Sequence, residues 1–162
     1  MSIYIFSRPV HSGKTTELLK WCNKQTGATG ILMPDIDGSR KILDLATTNI
    51  FDIECVDPVN TKELLTTIGR FHFYSKAFEK ANAILLKAIA KNPRWLVIDE
   101  AGKLELESKG FYPAIINALQ WQETHGDSHH LLITVRDSLC AAVAAFFNLH
   151  DHRVIDKLEE LE

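Results

Sequence analysis

A chain of 162 residues suffices for one ordinary domain with one sizeable core. Its formal charge of -3 leaves no basic excess, and no run of Lys or Arg would track a phosphate backbone, so nucleic acid is not an expected partner. No segment approaches the ~20 apolar residues of a membrane span, and MSIYIFSRPV has no charged region ahead of its short apolar run, which predicts a cytoplasmic protein without a membrane partner.

Ile3, Tyr4, Ile5 and Phe6 form an apolar run of β-formers, as a buried parallel strand requires, and residues 14–24 follow with Leu18, Leu19 and Cys22 at helical spacing. Between residues 29 and 56 the texture changes. An Asp37-Gly38 turn separates two short apolar runs and FDIECV adds another strand-like piece, which predicts an antiparallel hairpin region beside the parallel sheet. Residues 57–69 fit a helix or a loop. Phe71 and Phe73 mark a further strand, after which Ser75 can cap a helix carrying Phe78, Ala81, Leu85 and Ala88 on one face, stopped at Asn92-Pro93. Trp95, Leu96, Val97 and Ile98 are again a buried-strand run, with Asp99 and Glu100 at its carboxyl end. A loop, AGKLELESKG, leads to a helix from about residue 111 to 124 that turns Ile115, Ile116 and Leu119 inward. Residues 131–135 make a last strong strand, Asp137 can cap a helix holding Leu139, Val143 and Phe146, and a short strand near Val154 precedes an acidic tail. With no repeat, linker or boundary, residues 1–162 read as a single α/β domain, a mostly parallel central sheet with an antiparallel hairpin region.

The strand–loop–helix at the start carries SRPVHSGKTTELLK. A phosphate cradle needs inward backbone N–H groups, a residue without Cβ where the chain passes closest to the phosphates, and a cation for the outer phosphate oxygens. Gly13 and Lys14 supply the last two, and Thr15 offers a hydroxyl to Mg2+ at the positive end of a helix. The P-loop pattern GxxxxGK[ST] has a glycine where Arg8 stands. Pro9 pushes Arg8 toward extended geometry, which arginine adopts without the positive φ that glycine permits, so the loop survives if its entrance is extended. The predicted nucleotide-binding residues are Pro9, Val10, His11, Ser12, Gly13, Lys14, Thr15 and Thr16. A bare GKT is a chance event often enough; one behind a buried strand, matched by a second strand ending in two acids, is not. In that second motif Asp99 is expected to orient Mg2+ with Thr15, and Glu100 to be able to take a proton from attacking water.

The string VIDEAGKLEL with its upstream GKTT resembles the small P-loop nucleoside-triphosphatases that include the cancer-related nucleoside-triphosphatase, whose corresponding strand reads close to VIDEIGKMEL. The resemblance extends over most of the chain, weakly in the segment around Gly30 and in IGRFHFYSKAFEKA. It implies a three-layer, RecA-like P-loop fold and slow, Mg2+-dependent hydrolysis of ATP, GTP and other nucleoside triphosphates to diphosphates with little choice of base. By resemblance Lys14, Thr15, Asp99 and Glu100 carry over, while Lys103 and Glu105 match motif positions without an assignable role. Both Arg8 and His11 replace family glycines. His11 either touches the outer phosphate, narrowing the cradle, or faces solvent. Arg136, just past a strand end, either reaches the transferred phosphoryl group as a third catalytic residue beside Lys14 and Glu100, or pairs with Asp137 or Asp99.

PVHSGKTTELL is also similar to the loop of thymidine kinases, which read close to PMFSGKSTELL, so a small-molecule kinase is an alternative, although neither CxxC pairs nor clustered arginines appear. A nucleotide-holding switch without turnover is another. Guanine-specific proteins read the base with [NT]KxD, and the nearest strings, NKQT and TKEL, lack the Asp. Cys22, Cys55 and Cys140 lack metal or disulfide spacing and are predicted as small core hydrophobes, and the histidines at 125, 129, 130, 150 and 152 as solvated loop residues.

Overall fold

The computed structural model describes residues 2–161. Ten strands and five helices follow in the order β1 (Ile3–Arg8), α1 (Lys14–Lys24), β2 (Ala28–Leu32), β3 (Asp35–Ile36), β4 (Ser39–Asp44), β5 (Ile50–Asp52), β6 (Leu65–Ile68), β7 (Phe71–Tyr74), α2 (Ser75–Ala90), β8 (Trp95–Ile98), α3 (Lys103–Leu106), α4 (Tyr112–His125), β9 (His130–Arg136), α5 (Cys140–Phe146) and β10 (His152–Ile155). The main sheet runs β10-β1-β9-β8-β2-β4-β3, with β5 added on β4. Pairing from β10 across to β2 is parallel, and β3, β4 and β5 are joined antiparallel.

Alternation along the strands makes the three layers. Ile5, Leu96, Ile98, Leu131, Ile133 and Val135 turn to one face, where α2, α4 and α5 cover them with Ala81, Leu85, Ile115, Ala118 and Val143. Phe6, Trp95, Val97 and Leu132 turn to the other, against Leu18, Trp21 and Cys22 of α1 and Leu158 of the tail. The pattern thus places α1, with the tail at Leu158, on the sheet face that also carries Thr134 and Asp99, which continue the alternation of Leu132 and Val97.

Several expectations change in the details. Residues 28–32 belong to both parts: β2 is parallel to β8 on one side and antiparallel to β4 on the other, so the antiparallel extension of β3 to β5 starts from it. The undecided stretch 57–69 contains β6, which pairs with β7 as a separate two-stranded ribbon. Ser75 does not cap α2. It is the first helical residue, since β7 feeds straight into the helix through Tyr74, and its hydroxyl instead bonds that of Thr66 at 2.8 Å. In α5 the inward side chains are Val143 and, just past the helix, Phe147, while Phe146 is 42% exposed; a 3-10 turn at residues 137–139 precedes the helix and sets its phase later than Asp137 implied. The histidines are packed as well as solvated: His130 lies 4.4 Å from the Trp95 ring, and His125 and His129 flank Trp121. Cys22 and Cys55 are buried and Cys140 partly so, and burial pushes the Cys22 thiol up to about 12, as an inert core residue.

Candidate functional site

Gly13 has φ +80 and precedes the first residue of α1, with open space where a Cβ would stand. A left-handed residue is what turns the chain from the loop into the helix there. His11 also takes positive φ, +60, so a histidine occupies the left-handed position that a loop glycine would fill without strain. Arg8 is the last residue of β1, paired in register with Arg136 of β9. The loop entrance is therefore extended, the condition under which the first glycine is dispensable. The Lys14 side chain is buried and its ammonium folds back over the loop, donating to the carbonyls of Arg8 at 3.1 Å and Pro9 at 3.2 Å.

Asp99 is the hub of the site. It is 1% exposed, and its carboxylate accepts hydrogen bonds from the Thr15 hydroxyl at 2.8 Å, the Thr134 hydroxyl at 2.5 Å and the Met33 N–H at 3.0 Å. These three donors come from α1, β9 and the end of β2, so the carboxylate ties the helix over the loop to the sheet. Strand β9 lies between the strand that feeds the loop and the strand that ends in Asp99, and its Thr134 and Arg136 reach the site from the gap.

Val10 to Thr16, Met33, Pro34, Asp35, Arg40, Asp99, Glu100 and Arg136 line one cleft of about 240 Å3. The structure thus brings the predicted loop residues together with both acids and Arg136; Pro9 is outside the lining and contributes its carbonyl to Lys14. His11 is exposed at the loop crest. Arg136 has no carboxylate within 4 Å among the described residues, so neither Asp137 nor Asp99 takes it as an ion-pair partner.

Glu100 lies beside Arg40, with Nη1 to Oε1 at 4.0 Å. Burial, and then the neighbouring Asp99 charge, raise its carboxyl above the ordinary range, opposed by Arg40, Lys14 and Arg136. Sequence reasoning missed Arg40 and Thr134. Arg40 sits on a hairpin strand with no motif around it, and Thr134 lies inside an apolar run.

Glu105 has a structural task. Its buried carboxylate accepts from the N–H groups of Gly102 at 2.8 Å and Phe111 at 2.8 Å, clamping the turn α3 to the start of α4. Gly110 allows this, because a Cβ there would stand 2.0 Å from Glu105 Oε2. Burial outweighs the two hydrogen bonds and raises the carboxyl from 4.5 to about 7. Between those values the folded chain holds a proton that the unfolded chain has lost, so this contribution is complete below pH 4.5 and falls away as pH rises through about 7. Urea unfolding across that window should lose up to about 3 kcal/mol relative to Glu105→Gln, which has no such titration.

The Arg8 side chain turns away from the cleft: its guanidinium donates to Glu17 at 2.5 Å, in the first turn of α1, and lies 4.9 Å from the Phe6 ring centre. Arg8→Gly is therefore expected to lower unfolding stability by about 1 kcal/mol, from the lost partly exposed ion pair and added backbone freedom. Affinity for an ATP analogue should change by no more than roughly 1 kcal/mol, or about fivefold. A large loss of affinity would mean that the guanidinium contacts nucleotide after all.

A parallel α/β sheet with a GKT loop at the end of β1 and an acid at the end of β8, bonded to each other, defines a P-loop nucleotide-binding protein. A family model described as NTPase matches residues 3–156, and the chain belongs to that family. Among solved structures it resembles THEP1 from the hyperthermophile Aquifex aeolicus, with a TM-score of 0.70 over 96% of this chain and 89% of that one. At 22% identity this likeness is one of fold. No curated protein matches the chain.

Proposed function

We propose that this NTPase-family chain, read as one domain over residues 1–162, hydrolyses nucleoside triphosphates to diphosphates and phosphate with Mg2+, accepting ATP and GTP alike. The observation that carries the reading is the 2.8 Å hydrogen bond from Thr15 to Asp99, which joins the loop hydroxyl to the strand-end carboxylate across the intervening β9. Both are hard oxygen donors, the chemistry Mg2+ prefers. Among the described residues no group of three or more His, Cys, Asp or Glu could hold a metal, but Mg2+ needs no such cage, because it keeps waters and takes phosphate oxygens. Thr15 and Asp99 would hold the ion, which would supply neutralisation of phosphate charge when bound.

In this reading the loop N–H groups from Val10 to Thr16 cradle the phosphates and the Lys14 ammonium exchanges its carbonyl partners for the outer phosphate. Glu100, facing the same cleft, takes the proton of the attacking water. Its raised pKa brings it closer to neutrality, where a base that is both ionised and able to accept a proton works best. Arg136 holds the transferred phosphoryl group. No [NT]KxD string exists to read guanine, which supports the broad choice of base. No helix among the described residues is long and apolar enough to cross a membrane, and we read the protein as cytoplasmic with no nucleic-acid partner. Phosphate release from ATP and GTP, with Mg2+ and with EDTA in its place, tests the proposal. Release from both nucleotides only with Mg2+ is the expected result, and tight binding without release would leave a switch.

A further inference from the structure

Beyond Glu100, on the other side of Arg40 and Arg136, lies a second cavity of about 290 Å3. Met33, Arg40, Glu100 and Arg136 line both it and the phosphate cleft, so the two spaces meet at the side chain assigned as the base. Its walls are aromatic. Phe71 and Phe73 of the β6–β7 ribbon face it, with Phe78 of α2 and Phe111 before α4. Phe78 is edge-on to Phe73 at 5.7 Å and to Phe111 at 5.2 Å between ring centres, so the three rings form one packed aromatic wall.

The rim carries excess positive charge. Arg40 and Arg70 each lie over the Phe71 ring, at 5.0 and 5.1 Å from its centre, which holds both guanidinium groups at the cavity edge. Lys103 and Arg136 complete the set. Arg70, Lys103 and Arg136 have no carboxylate within 4 Å among the described residues. Glu105 forms no ion pair with them among the described residues, its two oxygens accepting instead from backbone N–H groups. The arginines absent as a cluster in sequence are therefore clustered in space. An apolar chamber ringed by four cations, three of them without an ion-pair partner among the described residues, selects a ligand with a flat apolar body and a negative group, and 290 Å3 is at the small end of ligand sites, room for a single-ring molecule.

We infer that this cavity is a phosphoryl-acceptor site for a small aromatic alcohol bearing an anionic group, placed so that its hydroxyl meets Glu100 and Arg136. The inference rests on the nucleotide reading of the adjoining cleft. In the step, the acceptor oxygen forms a bond to the γ-phosphorus while the bond from that phosphorus to the β,γ-bridging oxygen breaks. That electron pair leaves with the nucleoside diphosphate, and the hydroxyl proton passes to Glu100. The products are a phosphate monoester and a nucleoside diphosphate; water in the empty chamber would give free phosphate by the same route.

The test incubates the full chain with ATP, Mg2+ and, separately, 4-(hydroxymethyl)benzoate, 3-(hydroxymethyl)benzoate, benzyl alcohol and 4-(hydroxymethyl)cyclohexanecarboxylate, and follows phosphorus-31 NMR for ester against free phosphate. At least one aromatic acid should give ester at no less than tenfold the rate of benzyl alcohol and of the cyclohexane acid. Ile68→Trp, which fills the chamber from β6, should shift the product ratio from ester to free phosphate at least tenfold. Arg70→Ala should raise the KM for the aromatic acid with little change in kcat, which keeps the test open if the Ile68 variant misfolds. Free phosphate as the sole product with all four compounds overturns the acceptor role while leaving the hydrolase reading intact. ATP left wholly unchanged in every tube overturns the hydrolase reading, and the acceptor step with it.

Discussion

Lys14→Ala is expected to abolish tight binding of a nonhydrolysable ATP analogue, by at least about 100-fold, or roughly 3 kcal/mol. The reason lies in what the ammonium touches. It is buried, and its partners are the neutral carbonyls of Arg8 and Pro9, so a full positive charge is held beneath the loop without a counter-charge among its hydrogen-bond partners. A triphosphate entering the cleft would supply that counter-charge in a poorly hydrated place, and truncating one member of such a pair costs about 2–5 kcal/mol. The alanine variant also loses two hydrogen bonds that shape the loop. Lys14→Met separates lost packing from lost polar contacts, because it keeps most of the apolar stem while losing the charge and the hydrogen bonds as alanine does. Both variants should lose the analogue in calorimetric titration while urea midpoints stay close to wild type. Retained affinity in both would remove the phosphate-loop assignment.

The parts of the site legible in the sequence are those whose chemistry and geometry lie within a few consecutive residues. Gly13, Lys14 and Thr15 follow a buried strand directly, and Asp99 ends an apolar run of four, so strand period and residue type suffice to place them on the ligand edge of a sheet. Arg40 was out of reach because it acts through a hairpin some 60 residues from Glu100 in sequence, and only the register of β4 beside β2 brings it there. The fold behaved alike. Long amphipathic helices such as α2 were legible from their periodicity, whereas β6, four residues of LTTI, carries too short a pattern to separate strand from loop. Pairing with β7 decides it, and pairing is not local. Phe146 was expected inward and Phe147 is found there instead, because the three 3-10 residues before α5 advance about 120° each rather than about 100°, which turns everything after them by roughly 60°. The aromatic chamber is the clearest case: its four phenylalanines span residues 71 to 111, and each alone reads as core.

Because the two spaces meet at Glu100, its role bears on either acceptor, water or alcohol. Asp99 and Glu100 are adjacent in sequence yet have separable tasks. Asp99 is held in place by Thr15, Thr134 and Met33, the fixed geometry that suits a group proposed to hold an ion in ground state and transition state alike. Asp99→Asn puts an amide donor against other donors and should weaken Mg2+-dependent ATP binding as well as stability. Glu100, with a 4.0 Å ion pair to Arg40, would on the proposed reading contribute when a proton must be taken, so its effect would belong to the transition state. Glu100→Gln keeps the shape but cannot accept the proton, and loss of a general base costs about 10²–10⁴ in rate. The expected result is near wild-type binding of ATP and Mg2+ with hydrolysis reduced at least 100-fold. Burial raises the Glu100 pKa, so wild-type kcat/KM should climb with pH through a limb above the usual carboxylate range and then level off, and Glu100→Gln should lose that limb. Arg40→Met, removing a charge that lowers this pKa, should move the limb to higher pH. If Glu100→Gln and Asp99→Asn both hydrolyse ATP at the wild-type rate, the catalytic assignment of these two acids is wrong. If wild type binds ATP tightly without turnover, the loop with Arg8 and His11 in place of glycine serves to hold nucleotide, and Glu100→Gln should then leave every measured property unchanged.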